Sequence, residues 1–485
     1  MRTLSNKEKG AYYTPDVVAE SLLRWAIRSE SDRLLDPSCG DGQFIVGHRN
    51  SVGIEQDVLA ARAAVARAPW ALVHEGDFFT WASNTEERFE CVAGNPPFIR
   101  YQTFKGQARD TALDYCASVG VRFSALTSSW APFIAAASTL LKPGGRMAFV
   151  VPAEIGHAPY AAPLLDYLAG RFSVVHVLAI KEKLFPGLSE DCWLLYAEGF
   201  GGATETLRFT ALEKFRPLRR PPRTFTSVRV AEWRDWKCRL RPFLLDSDAR
   251  KVYQALAADP SSRRLGEIAS VGIGYVTGAN DFFHLRPSQA GRLGIPAPFL
   301  HPSVRNSRVL PSTEVSPATV ANWREKDQEM LLLRLPKSGE LPRQVLSYLD
   351  SEAGHVARTA YKCRVREPWF SVPDVQVPDF FLAYMSGLKP QLVRNNAGCT
   401  CTNSVHSVRL RSAKEAARLR HWGTPHVDLS CELEGHPLGG GMLKLEPREA
   451  ARVVLPSAAA LRQADTETLQ EAVSRMRSWR HCEAA

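Results

Sequence analysis

Four short apolar runs in the first hundred residues each stop at a glycine, an acid or a proline, and this punctuation leaves few folds open. "RLLDPSCGDG" (residues 33–42) reads as a strand ending in a glycine-rich turn, and "SVGIEQD" (51–57) as a second strand ending in acids. "ALVHEGDFF" (71–79) and "RFECVAGNPPF" (88–98) read as third and fourth strands. "SSWAPFIAAASTLLKPGGRMAFVVP" (128–152) then reads as a helix, a Lys-Pro-Gly-Gly turn and a buried strand, Met147 to Val151. "FSVVHVLAI" (172–180) and "CWLLYAEGF" (192–200) supply two more strands. Strands alternating with helices predict an α/β fold, a mostly parallel, doubly wound sheet with helices on both faces.

At 485 residues the chain is long enough for two domains. The stretch "MRTLSNKEKGAYYTP" has no apolar core of the kind a secretory signal needs, and the longest apolar run, Trp130 to Leu141, is too short to span a bilayer. Ten cysteines lie scattered, with only Cys399 and Cys401 closely spaced, which predicts reduced thiols in a cytoplasmic protein and no metal site. Charge divides the chain more sharply than composition. Residues 1–200 hold 19 Lys+Arg against 22 Asp+Glu, a net of −3, so the formal +10 of the whole chain leaves +13 on the remainder. A near-neutral half beside a strongly basic one predicts chemistry in the first and a polyanion partner for the second.

The stretch "KFRPLRRPPR" (214–223) breaks the strand–helix rhythm with three prolines and five cations and reads as a linker. The expected layout is a catalytic domain over 1–212, a basic Pro-rich linker over 213–226 and a mixed α+β domain over 227–485. The last segment, "ADTETLQEAVSRMRSWR", reads as a helix that starts near Asp465 or Thr466.

The chemistry-bearing residues fall at the ends of the predicted strands. Gly40 and Gly42 make a Gly-x-Gly turn after the first strand, which lets backbone approach a ligand closely. Glu55 ends the next strand, nineteen residues after Asp36, where a carboxylate accepts from both ribose hydroxyls of a nucleoside. Ile45 stands where the dinucleotide fingerprint has its third glycine, so no pyrophosphate is expected. Asp77 is placed to accept from an adenine amino group, with Phe78 over the ring. The pattern predicts a nucleoside pocket.

Asn95-Pro96-Pro97-Phe98 follows the fourth strand directly, and two prolines cannot continue a ladder. In an open parallel sheet, ligands sit beyond the carboxyl ends of the strands. Methylating a conjugated exocyclic amine is hard because the nitrogen lone pair is delocalised into the ring. An Asn side-chain oxygen and a proline-fixed carbonyl both accept from such an NH₂, favour a more tetrahedral nitrogen and aim its lone pair at a methyl donor. Phe98 offers a flat face on which a base stacks.

The ordered set "GAYYTP", "DPSCGDG", "GIEQD", "GDFF", "NPPF" and "KPGGRMAFVVP" resembles the gamma-type adenine-N6 DNA methyltransferases of restriction–modification systems. The resemblance is close over roughly the first two hundred residues. Later stretches such as "YKCRVREPWFSVP" resemble that family's target-recognition half with less specificity. It implies a Rossmann-like class I methyltransferase domain, S-adenosyl-L-methionine as the cofactor, and a C-terminal target-recognition domain. Thr14 and Pro15 would lie beside the methionine part of the donor. Asp36, Pro37, Ser38, Gly40 and Gly42 would line the pocket, with Glu55 and Gln56 at the ribose and Asp77 and Phe78 at the adenine. Asn95, Pro96, Pro97 and Phe98 would hold the target amine, with Asn95 also near the donor. Phe185, in an "FP" segment, would give the extruded base a second stacking face. Many members carry tyrosine where this chain has Phe98, which keeps the stacking face and loses a hydroxyl.

A base paired in a duplex cannot reach such a pocket, so base flipping is implied. The basic half would grip phosphates and read bases through Lys362, Arg364, Arg366, Trp369, Arg394 and Asn395. The reading is therefore a sequence-specific DNA methyltransferase acting on adenine N6 in double-stranded DNA. The donor motif begins close to residue 1, so a stand-alone enzyme is expected, which leaves room for a separate cognate restriction endonuclease as partner. Cytosine N4 is the alternative acceptor, since the same carbonyl geometry suits that amine. An RNA base or a protein glutamine comes further behind, and a DNA-binding module with a relic donor pocket is the non-enzymatic reading.

Overall fold

Leu34, Leu35 and Asp36 form β1, a three-residue strand buried along its whole length, third from one edge of a nine-stranded sheet. The computed structural model describes residues 14–188 and 190–482. Gly10 to Tyr13 of the "GAYYTP" motif lie outside the described residues. The strands are β2 (Ser51–Glu55), β3 (Leu72–Glu75), β4 (Phe89–Gly94), β5 (Leu141–Pro152), β6 (Phe172–Ile180), β7 (Cys192–Phe200), β8 (Thr206–Leu212) and β9 (Thr226–Arg229). Their order across the sheet is β3-β2-β1-β4-β5-β7-β6-β8-β9.

From β3 to β5 all neighbours run parallel; β7 enters antiparallel between β5 and β6. Parallel pairing needs crossovers, and helices Val58–Arg67, Phe78–Asn84 and Trp130–Ser138 lie in them. The central strands are apolar on both faces because helices cover both, and β4 is buried at all but Glu90. Helix Asp16–Ala26 turns Val18, Leu22, Leu23 and Trp25 inward. The chain moves outward from β1 through β2 to β3, then returns to place β4 on the other side of β1. That reversal is the switch point at which open α/β sheets bind ligands, beyond the strands' carboxyl ends.

The architecture is the doubly wound α/β sheet expected, and every strand expected from Leu34 to Phe200 is present. The Lys-Pro-Gly-Gly expected as a turn runs inside β5, where Gly144 takes a φ of +77° and the pairing with β4 shifts register.

The domain boundary needs correction. The chain divides into two compact units, Met1–Leu244 and Leu245–Ala485. The Pro-rich stretch expected as a linker over 213–226 joins β8 to β9, which pair antiparallel. Phe215 and Leu218 pack against the first unit's core, the Phe215 N–H donates to Glu182 and the Leu218 N–H donates to Ser21 Oγ at 3.1 Å. Composition signals a tether here, but two apolar anchors and a strand pairing fix the segment.

The second unit is mixed α+β. Its largest sheet orders Ala269–Ile273, Val405–Leu410, Phe380–Ala383, Leu392–Asn395 and Glu314–Val315, beside smaller sheets of four, three and two strands. Phe283, Leu332, Phe381 and Val393 are fully buried in its core. The final helix, Thr466–Ser478, is capped by Asp465, which accepts from the Thr468 N–H at 3.1 Å. Just beyond it the guanidinium of Arg480, 1% exposed, donates to both oxygens of Glu432 at 2.8–3.1 Å. Among the described residues no helix is long and apolar enough to cross a membrane.

Candidate active site

Asp36 closes β1 at the switch point, 1% exposed. Its Oδ1 accepts from the Ser38 N–H at 3.1 Å, while Oδ2 is buried and has no hydrogen-bond partner among the described residues. Burial first, and then the negative charge of Glu55, push its pKa up to about 8 against the opposing Ser38 hydrogen bond. A carboxyl so placed is poised to gain from a donor or a cation brought alongside.

The turn that follows is built by glycine. Gly40 and Gly42 adopt φ of +54° and +90°, conformations that L side chains rarely take. A Cβ on Gly42 would lie 3.1 Å from Ala64 Cα, so the turn closes tightly on helix Val58–Arg67; at Gly40 a Cβ would meet nothing within 4 Å. The Gly40 N–H donates to Glu55 Oε2 at 3.0 Å, and the Asp57 N–H to Glu55 Oε1 at 2.7 Å. Glu55 is thus fixed in place with lone pairs remaining on both oxygens. Gln56 beside it is exposed. Gln43 Nε2 donates to Asp16 Oδ1 at 2.6 Å, which ties the start of helix Asp16–Ala26, and Thr14 and Pro15 before it, to this turn.

Asp77 caps helix Phe78–Asn84, its Oδ1 accepting from the Thr80 N–H at 2.8 Å. Phe78, expected to cover an adenine, is 2% exposed and stacks on Phe133 with ring centroids 5.3 Å apart. Its face is engaged in the core, because the helix that begins there must bury its first turn.

Asn95 and the two prolines leave β4 next to this turn. A Cβ on Gly94 would meet Asp36 Oδ1 at 2.6 Å, which is why the chain has glycine there. Ser38 Oγ donates to the Asn95 carbonyl at 3.3 Å, and the Asn95 side-chain oxygen is shielded from solvent. Phe98 packs against the core that includes Phe185. Phe185 is itself 7% exposed within that core, and its segment reaches the adjacent cleft through Leu188 and Glu190.

This cleft, about 230 Å³, opens beside Phe98 and is lined also by Ile99, Ser128, Trp130, Pro152 and Glu154. Glu154 accepts from the Tyr160 hydroxyl, which lies 3.2 Å from Ser128 Oγ and accepts from Trp130 Nε1 at 3.3 Å. Burial, with Glu154 alongside, holds the Tyr160 phenol well above its ordinary pKa. Glu190 pairs with Arg100. Glu154, Tyr160 and Ser128 escaped the sequence reading; the one available signal was an acid two residues after a strand, "VPAE", the same position that marked Asp77.

On the second unit the six residues expected to meet DNA separate into two groups. Lys362, Arg364 and Arg394 are exposed, and Arg394 lines a groove of about 520 Å³ with Lys389, Arg420, Phe380 and Trp422. Three are also held by contacts within the fold. Arg366 donates to the Val276 carbonyl and is partly buried, Trp369 packs on Phe282 at 5.6 Å, and Asn395 donates to the Pro378 and Cys399 carbonyls at 2.7 and 2.8 Å. Among the described residues no group of three or more His, Cys, Asp or Glu side chains is arranged to hold a metal ion.

The chain is similar to known proteins along most of its length. The family model for the Type II methyltransferase M.Eco57I C-terminal domain matches residues 238–484, and that for the Eco57I restriction-modification methylase matches 55–185. The Type II methyltransferase M.XamI of Xanthomonas campestris pv. amaranthicola is 26% identical over 475 residues, covering 92% of this chain and 85% of its own. A tRNA1(Val) (adenine(37)-N6)-methyltransferase of Actinobacillus succinogenes is 31% identical over 146 residues, 27% of this chain and 58% of its own. Among solved structures the type IIG restriction endonuclease BpuSI aligns over 95% of this chain at 14% identity and a TM-score of 0.43, and the chain spans 59% of its length.

Proposed function

The chain belongs to the Eco57I family of restriction–modification DNA methyltransferases, and on that footing we propose that it methylates the exocyclic N6 amine of an adenine turned out of duplex DNA at a specific sequence. The methyl donor is S-adenosyl-L-methionine, which when bound supplies an electrophilic methyl carbon on a positively charged sulfur. The first unit is read as the catalytic domain and the second as the target-recognition domain.

The residues at the switch point fit such a donor. Asp36 brings a buried oxygen without a hydrogen-bond partner among the described residues, and Gly40 leaves open space where a side chain would stand. Glu55 is assigned to the ribose hydroxyls, Asp77 to the adenine amine, and Thr14 and Pro15 to the methionine end. Asn95 Oδ1 and the Pro96 carbonyl accept from the target NH₂, drawing its lone pair out of conjugation, while Phe98 supports the ring. These acceptors are fixed before the reaction, so little reorganisation is needed when charge develops on nitrogen. The proton released after transfer leaves through the open cleft beside Phe98.

The observation that carries this reading is the Ser38–Asn95 hydrogen bond, which joins the glycine-rich turn to the Asn-Pro-Pro-Phe loop. Adenine as acceptor draws support from the matched relative that is named an adenine-N6 methyltransferase. Incubating duplex DNA with the purified chain and methyl-labelled donor, then digesting to nucleosides, tests it. N6-methyldeoxyadenosine is expected; N4-methyldeoxycytidine as the sole product would overturn the choice of base.

A further inference from the structure

Ser129 stands just before helix Trp130–Ser138 and is 0% exposed. Its hydroxyl donates to the Pro97 carbonyl and accepts from the Ile99 N–H at 3.0 Å, and its own N–H donates to the Ile99 carbonyl at 3.0 Å. Three hydrogen bonds therefore run from one buried serine to the loop that carries Asn95, Pro96 and Phe98. The helix behind it is buried on nearly every side, so the clamp is anchored on a rigid element.

We infer that Ser129 is a positioning residue for methyl transfer: it fixes the Asn-Pro-Pro-Phe loop and, by engaging the Pro97 carbonyl, leaves the Pro96 carbonyl as the backbone acceptor for the target amine. The inference rests on the proposed role of that loop. Pro97 confines the ψ of Pro96 before it, but its own ψ is set by neither ring, so the Pro97 carbonyl still needs a contact to choose where it points. Ser129 makes that choice for Pro97, and Ser38 makes it for Asn95 from the other side. A hydroxyl is required because it must donate and accept at once, which alanine cannot do. Ser129 touches neither base nor donor; it acts through the loop.

Single-turnover methyl transfer tests this with Ser129→Ala, Ser129→Cys and Ser129→Thr beside Asn95→Ala. Displacing reacting groups by an ångström costs on the order of 100-fold, so Ser129→Ala and Ser129→Cys are expected to slow transfer roughly 10- to 100-fold. Dissociation constants for donor and DNA should stay within about twofold. Ser129→Thr keeps the hydroxyl and is expected to recover most of the rate. Transfer at the wild-type rate in Ser129→Cys, whose size is conserved, would overturn the inference, as would a threonine variant no faster than the cysteine one. If Asn95→Ala itself retains full activity, the role of the loop fails instead, and that outcome is separately visible.

Discussion

The hydroxyl of Ser38 lies 3.3 Å from the main-chain carbonyl of Asn95, although 57 residues separate the two. β1 and β4 are neighbours in the sheet, so the segments leaving them emerge side by side. This contact joins the glycine-rich turn to the Asn-Pro-Pro-Phe loop in one structure.

In the proposed mechanism Asn95→Ala removes one of two acceptors for the target amine. Loss of one preorganised hydrogen-bonding group typically costs about 100- to 1,000-fold in turnover. Transfer should fall by that factor while duplex binding, read by anisotropy, stays near the wild-type value.

Glu55→Gln keeps the shape of the side chain and removes its charge. A hydrogen bond to a charged group contributes about 1.5–3 kcal/mol, so donor affinity measured by calorimetry should weaken by roughly one to two orders of magnitude. An unaltered donor constant would count against the ribose assignment.

Asp36→Asn should change stability in a pH-dependent way. Burial keeps this carboxyl protonated up to about pH 8 in the folded chain, whereas the unfolded chain ionises it near 3.8. The folded state therefore loses stability as pH rises through that interval, and asparagine removes the loss. The variant's gain in thermal midpoint should be larger at about pH 8.5 than at about pH 5; an equal gain at both would contradict it.

Arg394→Ala and Asn395→Ala are adjacent substitutions with opposite expected outcomes. Arg394 is exposed in a basic groove, so its loss should weaken DNA binding and lower the salt slope by about one. Asn395 holds three backbone groups, at Pro378 and Cys399, so its loss should lower the unfolding midpoint instead. Paired salt titrations and thermal melts separate the two.

Arg480→Met takes from the fully buried Glu432 its shortest ion pair, at 2.8 Å, and leaves Arg477 at 3.7 Å. Breaking a buried pair from one side costs about 3–5 kcal/mol. Urea unfolding of the full chain should show that loss, and Arg480→Met with Glu432→Leu should regain much of it.

The nine-stranded sheet was legible as far as β7 because strands covered on both faces become continuous apolar runs. Asp36, Glu55, Asp77 and Asn95 were legible because each sits where such a run stops, and the fold gathers those ends. Ser129 and Glu154 were not. Both are polar residues at the edge of an apolar segment, where a serine before a helix looks like a cap and an acid after a strand looks like solvated surface. The basic half shows the converse. Arg366, Trp369 and Asn395 have the chemistry of DNA contacts, but whether a guanidinium, an indole or an amide faces outward or supports a loop depends on partners distant in sequence, such as Val276 and Phe282.

The pairing of β9 with β8 bears on how this chain can be divided. A fragment ended at residue 212 would strip β8 of its outer neighbour and leave a row of main-chain N–H and C=O groups open to any passing strand, an invitation to self-association. It would also remove Phe215 and Leu218 from the core they cover. Isolating the first unit intact means carrying the chain through Leu244, past every proline that looks from composition like a place to cut.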